Sequence, residues 1–240
     1  MLGNLIQRNG QNVELATNQG KGVLSMAGVV TSVRPGAADG LVSASYDRFA
    51  SSCAIGAGAA AFLYSVAFVV LHSDVLSALC LLLVGLLSVP VLVSVYGRLR
   101  ATDGSFALWA LILGMGGALG SAVHGGYDLA NGLHPPANLN VDLPSQIDPR
   151  GLLTFGVTGL GVWVVAWLIV KSGRLPKALG YLGYVSGTLL IVLYLARLIV
   201  LDANSPLVLL PALISGFLAG PAWYIWVGLV LRRPVGWRLS

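Results

Sequence analysis

From Ser52 onward the chain alternates long apolar runs with short polar breaks, the runs covering about 52–71, 75–95, 106–126, 151–170, 178–200 and 207–231. A helix rising 1.5 Å per residue needs about 20 residues to cross the roughly 30 Å of hydrocarbon in a bilayer, and each run is long enough. The pattern predicts an all-α, polytopic membrane bundle of six transmembrane helices. Two breaks carry helix-start chemistry: Asp148 before Pro149, and Ser205 before Pro206, each an N-cap followed by a first-turn proline. Pro90 and Pro221 fall inside runs, where the missing backbone donor should kink the helix. Residues 1–45 are rich in Gly, Asn, Gln and Ser, and their longest apolar stretch, Val23 to Val33, is too short to span. Lys21 ahead of it and Gly36, Ala37 and Ala38 behind it imitate a secretory signal. Cleavage there would start the mature chain outside the membrane, against the charge distribution that follows, so 1–45 reads as a flexible cytoplasmic tail.

Composition removes the soluble alternatives. Of 240 residues, 56% are hydrophobic and 10% charged, against about 25% charged in a soluble domain. The formal charge of +5 comes with no basic run interleaved with aromatics, so nucleic acid is not an expected partner and the lipid bilayer is. Twelve of the fourteen Lys and Arg fall on one side of the six runs: Arg8, Lys21, Arg34, Arg48, Arg98, Arg100, Lys171, Arg174, Lys177, Arg232, Arg233 and Arg238. The positive-inside rule makes that side cytoplasmic, with both termini on it and 232–240 as a basic tail. Asp74, Asp128, Asp142, Asp148 and Asp202 occupy the other side with Arg150 and Arg197 as its basic residues. Trp109, Trp163, Trp167, Trp223, Trp226 and Trp237 gather toward the cytoplasmic boundary, as interfacial anchors would.

Glycines mark helix contacts: Gly114, Gly116, Gly117 and Gly120 in the third run, Gly180, Gly183 and Gly187 in the fifth, and the Gly216/Gly220 GxxxG pair in the sixth. No inverted repeat relates the two halves. Cys53 and Cys80 fall at opposite ends of their helices, too far apart for a disulfide, and read as packing residues.

Ionisable groups at membrane depth are costly, and they point to where chemistry could reside. His124 and Arg197 fall about 27–29 Å up the third and fifth helices from their cytoplasmic feet, in one layer near the outer surface. Asp128 follows His124 by one turn on the same helix face. Beyond it runs the one long loop, 127–150, which includes His134, Pro135 and Pro136. Three arrangements suit these residues. In the first, Asp128 pairs with Arg197 while His124 bonds nearby, as a structural network. In the second, Arg197 contacts a small anionic ligand or lipid headgroup, with His124, Asp128, Tyr127, Asn131 and Tyr194 around it. In the third, His72, His124 and Asp128 hold a metal, although no HxxxH or HExxH spacing supports it; a haem between His72 and His124 is disfavoured by the shallow position of His72. Enzyme signatures are missing: no GxSxG elbow, no P-loop, no dinucleotide fingerprint, and Glu14 as the one glutamate. Ser121 and His124 share a helix three residues apart, which suits a nucleophile and base poorly. The sequence therefore favours a non-enzyme without deciding it, a metal-dependent intramembrane enzyme remaining the third reading, and no cofactor is predicted.

The runs HGGYDLAN, DPRGLLTFG, WLIVKSGRLPKALGYLGYVSG and GPAWYIWVGLVLRR resemble a bacterial group of six-span membrane proteins known only as a domain of unknown function. The similar part is about 46–233, and Lys171 to Gly183 is its most specific segment. The resemblance implies a six-helix fold and a bacterial plasma (inner) membrane, and no activity. The first functional expectation is a non-enzymatic accessory or scaffold subunit that joins other membrane-protein subunits through its small-residue faces and its tail. The second is a small-molecule or lipid-headgroup binding or transport protein with an outward-facing polar pocket.

Overall fold

The computed structural model describes residues 42–135, 150–200, 202 and 205–233, all within the unit Ala38–Ser240. The expectations for the N-terminal tail up to residue 41, for Asp148 and Pro149, for 136–149 of the loop and for 234–240 lie outside these residues. Among the described residues six helices are long and apolar enough to cross a membrane: α1 Ala44–Val70, α2 Asp74–Leu99, α3 Gly104–Leu133, α4 Leu152–Ser172, α5 Lys177–Ile199 and α6 Pro206–Leu231. No strand occurs among the described residues.

Side-chain caps start the first three helices. Ser43 accepts from the Tyr46 N–H at 3.2 Å, Ser73 from Leu76 at 3.4 Å, and Asp103 from Phe106 at 3.2 Å. The expected Ser205 cap acts differently. Its side chain makes no cap bond, and its backbone carbonyl takes the N–H groups of Val208 and Leu209 at 2.9 Å instead. Gly173 ends α4 in the left-handed region at φ 60°. α3 runs seven residues beyond the expected limit at 126, so Tyr127 to Leu133 are helix and not loop. Its ladder continues until the Ala130 carbonyl accepts from His134 at 2.9 Å.

The helices pack as a ring in chain order, with α6 closing back onto α1. The ring is solid at the end where α1 begins and α2 ends, here the basal end. Val91, Val95 and Leu99 of α2, Leu168 and Ile169 of α4, and Trp223 and Val227 of α6 fill it. Trp223 is therefore a core residue, 2% exposed, and not an interfacial anchor. Eight described basic residues fall at this end: Arg48, Arg98, Arg100, Lys171, Arg174, Lys177, Arg232 and Arg233. One of them ties three helix ends together. Arg98 donates to Asp47 at 2.8 Å and to the Leu231 and Arg233 carbonyls at 2.8 and 3.2 Å. Asp47 also accepts from the Ser94 hydroxyl. Cys53 and Cys80 are free and buried.

Glycines let the backbones approach closely. A Cβ on Gly85 would lie 2.5 Å from the Ala118 carbonyl oxygen of α3, and one on Gly125 2.6 Å from that of Ala78 in α2. Gly159 and Gly187 face each other across α4 and α5, and Gly161 faces Gly114. The expected GxxxG pair splits: Gly216 abuts the Ser65 hydroxyl of α1, whereas Gly220 abuts the Ser215 carbonyl of its own helix.

Among the described residues three helices contain a π-helical turn: Val66–Val70 in α1, Leu152–Val157 in α4 and Ser215–Ala219 in α6. Each such turn adds a residue to the i→i−4 ladder and redirects the helix beyond it. The turn in α6 lies just ahead of Pro221, whose ring nitrogen has no proton to give.

Candidate functional site

The apical half of the ring is hollow. A cavity of about 730 Å³ is lined by all six helices, within the roughly 300–1,000 Å³ of small-molecule pockets. Residues from each π turn line it: Phe68 and Val69, Thr154 and Phe155, and Ser215 and Gly216. Its walls include the small residues Ala61, Ala78, Ala118, Gly114, Gly151 and Ala212 beside larger ones such as Phe155 and Leu193.

The cavity runs far down the bundle. On α2 its lining extends from Asp74 to Leu92 and on α3 from Gly114 to Gly132, in each case about 27 Å at 1.5 Å per residue. The serines of its wall offer little hydrogen bonding. Ser77 gives its hydroxyl proton to the Asp74 carbonyl at 3.0 Å, Ser88 to Val84 at 2.6 Å, Ser121 to Gly117 at 2.9 Å and Ser215 to Ala212 at 3.2 Å. A hydroxyl has one proton. With that of Ser88 spent, the 2.7 Å contact between Ser88 and Tyr224 has the tyrosine hydroxyl as its donor.

Polar groups gather at the apical mouth. His124 sits on α3 with its side chain 14% exposed, Nε2 3.3 Å from Asp128 and Nδ1 3.1 Å from the Thr154 hydroxyl. A proton on Nε2 satisfies the carboxylate, and Nδ1 then accepts from Thr154. Arg150 donates to the second Asp128 oxygen at 2.9 Å and lies 4.3 Å from the Tyr127 ring centroid. Thr154, His124, Asp128, Arg150 and Tyr127 thus form one connected chain.

This differs from the expected network in one respect: the cation on Asp128 is Arg150, not Arg197. Arg197 lines the cavity from the last turn of α5, and among the described residues no ion pair or hydrogen bond engages its side chain. The α5 C-terminus suits a cation there. His124, Asp128, Asn131, Tyr194 and Arg197 all line the cavity. Tyr127 does not: it is 52% exposed and lies under Arg150. The Tyr194 ring packs against the bare face of Gly156, where a Cβ would be 3.1 Å away.

The metal set does not assemble. His72 is exposed in the α1–α2 turn, with φ at 49°, and among the described residues no three His, Cys, Asp or Glu side chains form a group that could hold a metal. Arg150 and Thr154, which sequence reading missed as site residues, lie across the long loop from their partners. Their one available signal was that Arg150 is a cation on the acidic side. No protein-family model, no curated protein and no solved structure matches this chain.

Proposed function

We propose that this chain is a membrane binding or transport protein that houses a small molecule in the apical cavity, with Arg197 as its charged contact. The observation that carries this reading is a large, mostly apolar cavity whose mouth holds a guanidinium not engaged by any described side chain. The neighbouring carboxylate of Asp128 is occupied by Arg150, so an anion is the complement that Arg197 lacks. His124, Asn131 and Tyr194 supply orienting groups around it. Nothing in the reading requires a cofactor or bond-making chemistry.

The accessory-subunit reading drew on small-residue faces seeking a partner. Many of those glycines meet helices of the same chain, so they no longer argue for another subunit. The basic residues at the basal end support a cytoplasmic basal face and an outward-opening cavity, and the resemblance of 46–233 supports a bacterial plasma membrane. Native mass spectrometry of gently extracted protein tests the functional reading. A small adduct that disappears on Arg197→Leu, in a protein that stays folded, is the expected result. A bare protein travelling with other polypeptides at fixed stoichiometry would restore the accessory-subunit reading.

A further inference from the structure

We infer that the cavity takes a membrane amphiphile, an anionic headgroup on a hydrocarbon tail, and admits it sideways from the bilayer between the apical ends of α1 and α6. This rests on the binding reading above and specifies its ligand and route.

The shape and chemistry of the chamber are divided. Its depth of about 27 Å exceeds the ~15 Å of one hydrocarbon leaflet, half of a core of about 30 Å. Below the mouth the lining is mostly apolar, with serines whose protons go to their own helix carbonyls, Thr158 bonded to the Leu153 carbonyl, Tyr224 bonded to Ser88, and the Trp223 indole N–H as one donor without a partner among the described residues. A polar ligand placed there would lose hydrogen bonds to water and regain few; an alkyl chain would lose none. The charge is confined to the mouth: Asp74, Asp128 paired with Arg150, and Arg197. One end for an anion and a long dry remainder is the complement of a single-headed amphiphile.

The wall has a seam. Basally, α1 and α6 pack tightly: Gly58 meets Pro221 and Ile225, Phe62 meets the Phe217 ring edge-on at 5.9 Å, and Ser65 meets Gly216. At that level both helices enter π turns, Val66–Val70 and Ser215–Ala219. Apical to it the segment Pro206–Ile214 packs on α5 and barely approaches α1. Phe68 and Leu209 line the cavity and are 56% and 39% exposed, so the wall is thinnest where these two helices diverge. The lips, Phe68, Val69, Leu209 and Leu213, are all apolar, so the opening suits hydrocarbon and not water.

The test uses full-length protein in phosphatidylcholine vesicles with two probes, diazirine-tagged palmitate and a diazirine-tagged lysophosphatidate, which separate a carboxylate from a phosphate head. Light should label deep residues such as Val84 and Leu92, and Arg197→Gln should weaken loading roughly tenfold or more, with Arg197→Lys closer to wild type. The seam is closed by Val69→Cys with Leu209→Cys in a Cys53→Ala, Cys80→Ala background, bridged by a bismaleimide, with N-ethylmaleimide on the same cysteines as control. Bridging should slow loading about tenfold or more and leave final occupancy unchanged, because a route alters rate and not equilibrium. Unchanged loading rates would overturn the lateral route and leave the binding reading intact. If neither alkyl probe labels the cavity but acetate or inorganic phosphate raises the melting temperature in an Arg197-dependent way, the amphiphile is overturned and the binding reading stands. If no probe or anion acts, both fall.

Discussion

The Asp128 carboxylate accepts from the Arg150 guanidinium at 2.9 Å, and by doing so separates two arginines that the sequence presents as equivalents. Arg150 is held in a polar chain; Arg197 faces the cavity. Substitutions at the two positions should therefore differ in kind. Arg150→Leu removes an ion pair whose side chains are 28% and 40% exposed, together with the stacking on Tyr127, and should cost about 1 kcal/mol. Arg197→Leu should stay within about 0.5 kcal/mol. A thermal double-mutant cycle in detergent should find coupling between Asp128 and Arg150 and none between Asp128 and Arg197. The opposite pattern would return Arg197 to a structural role.

The basal clamp carries a larger penalty. Arg98 and Asp47 have side chains only 10% and 12% exposed. Arg98→Leu strands the Asp47 carboxylate and uncaps the Leu231 and Arg233 carbonyls, which should cost about 3–5 kcal/mol. Asp47→Leu combined with Arg98→Leu should be milder than the sum of the two. Chemical unfolding monitored by tryptophan fluorescence would read this, since Trp223 lies in the basal core.

Glycines should sort by the space beside them. Gly85→Ala and Gly125→Ala push a Cβ to 2.5 and 2.4 Å from backbone atoms of the facing helix and should destabilise by about 1–3 kcal/mol or more. Gly116→Ala meets only a Val157 methyl at 3.7 Å and should be neutral or stabilising through helix propensity. Equal melting temperatures across the three variants would show that α2 and α3 can part at little cost.

Gly173 has open space around it but a φ of 60°. Gly173→Ala should therefore lose about 1 kcal/mol through backbone strain alone, and Gly173→Asn less, because Asn tolerates the left-handed region. A loss as large for Asn as for Ala, measured by thermal unfolding, would point to contacts instead of backbone conformation.

Hydropathy along the chain was enough to number the helices and to place most of their ends within a few residues, because the cost of leaving backbone groups unpaired in lipid forces an apolar run of this length into a helix; α1, however, begins eight residues before the expected 52, and α3 ends seven beyond 126. It also located the polar layer: His124, Asp128, Asn131, Tyr194 and Arg197 do come together around one cavity. Which cation pairs with Asp128, which glycines touch and where the bundle is hollow were decided only by tertiary structure. Lipid is as apolar as a helix interface, so membrane helices need no strongly polar face, and their rotation about the axis is weakly written in the sequence. The π turns hide further still. One extra residue in Val66–Val70 or Ser215–Ala219 turns the rest of the helix by about 100°, and no residue type announces it. Arg150 escaped for a related reason: its bond to Asp128 spans 22 residues of chain, and only the packing of α3 against α4 brings the two groups together.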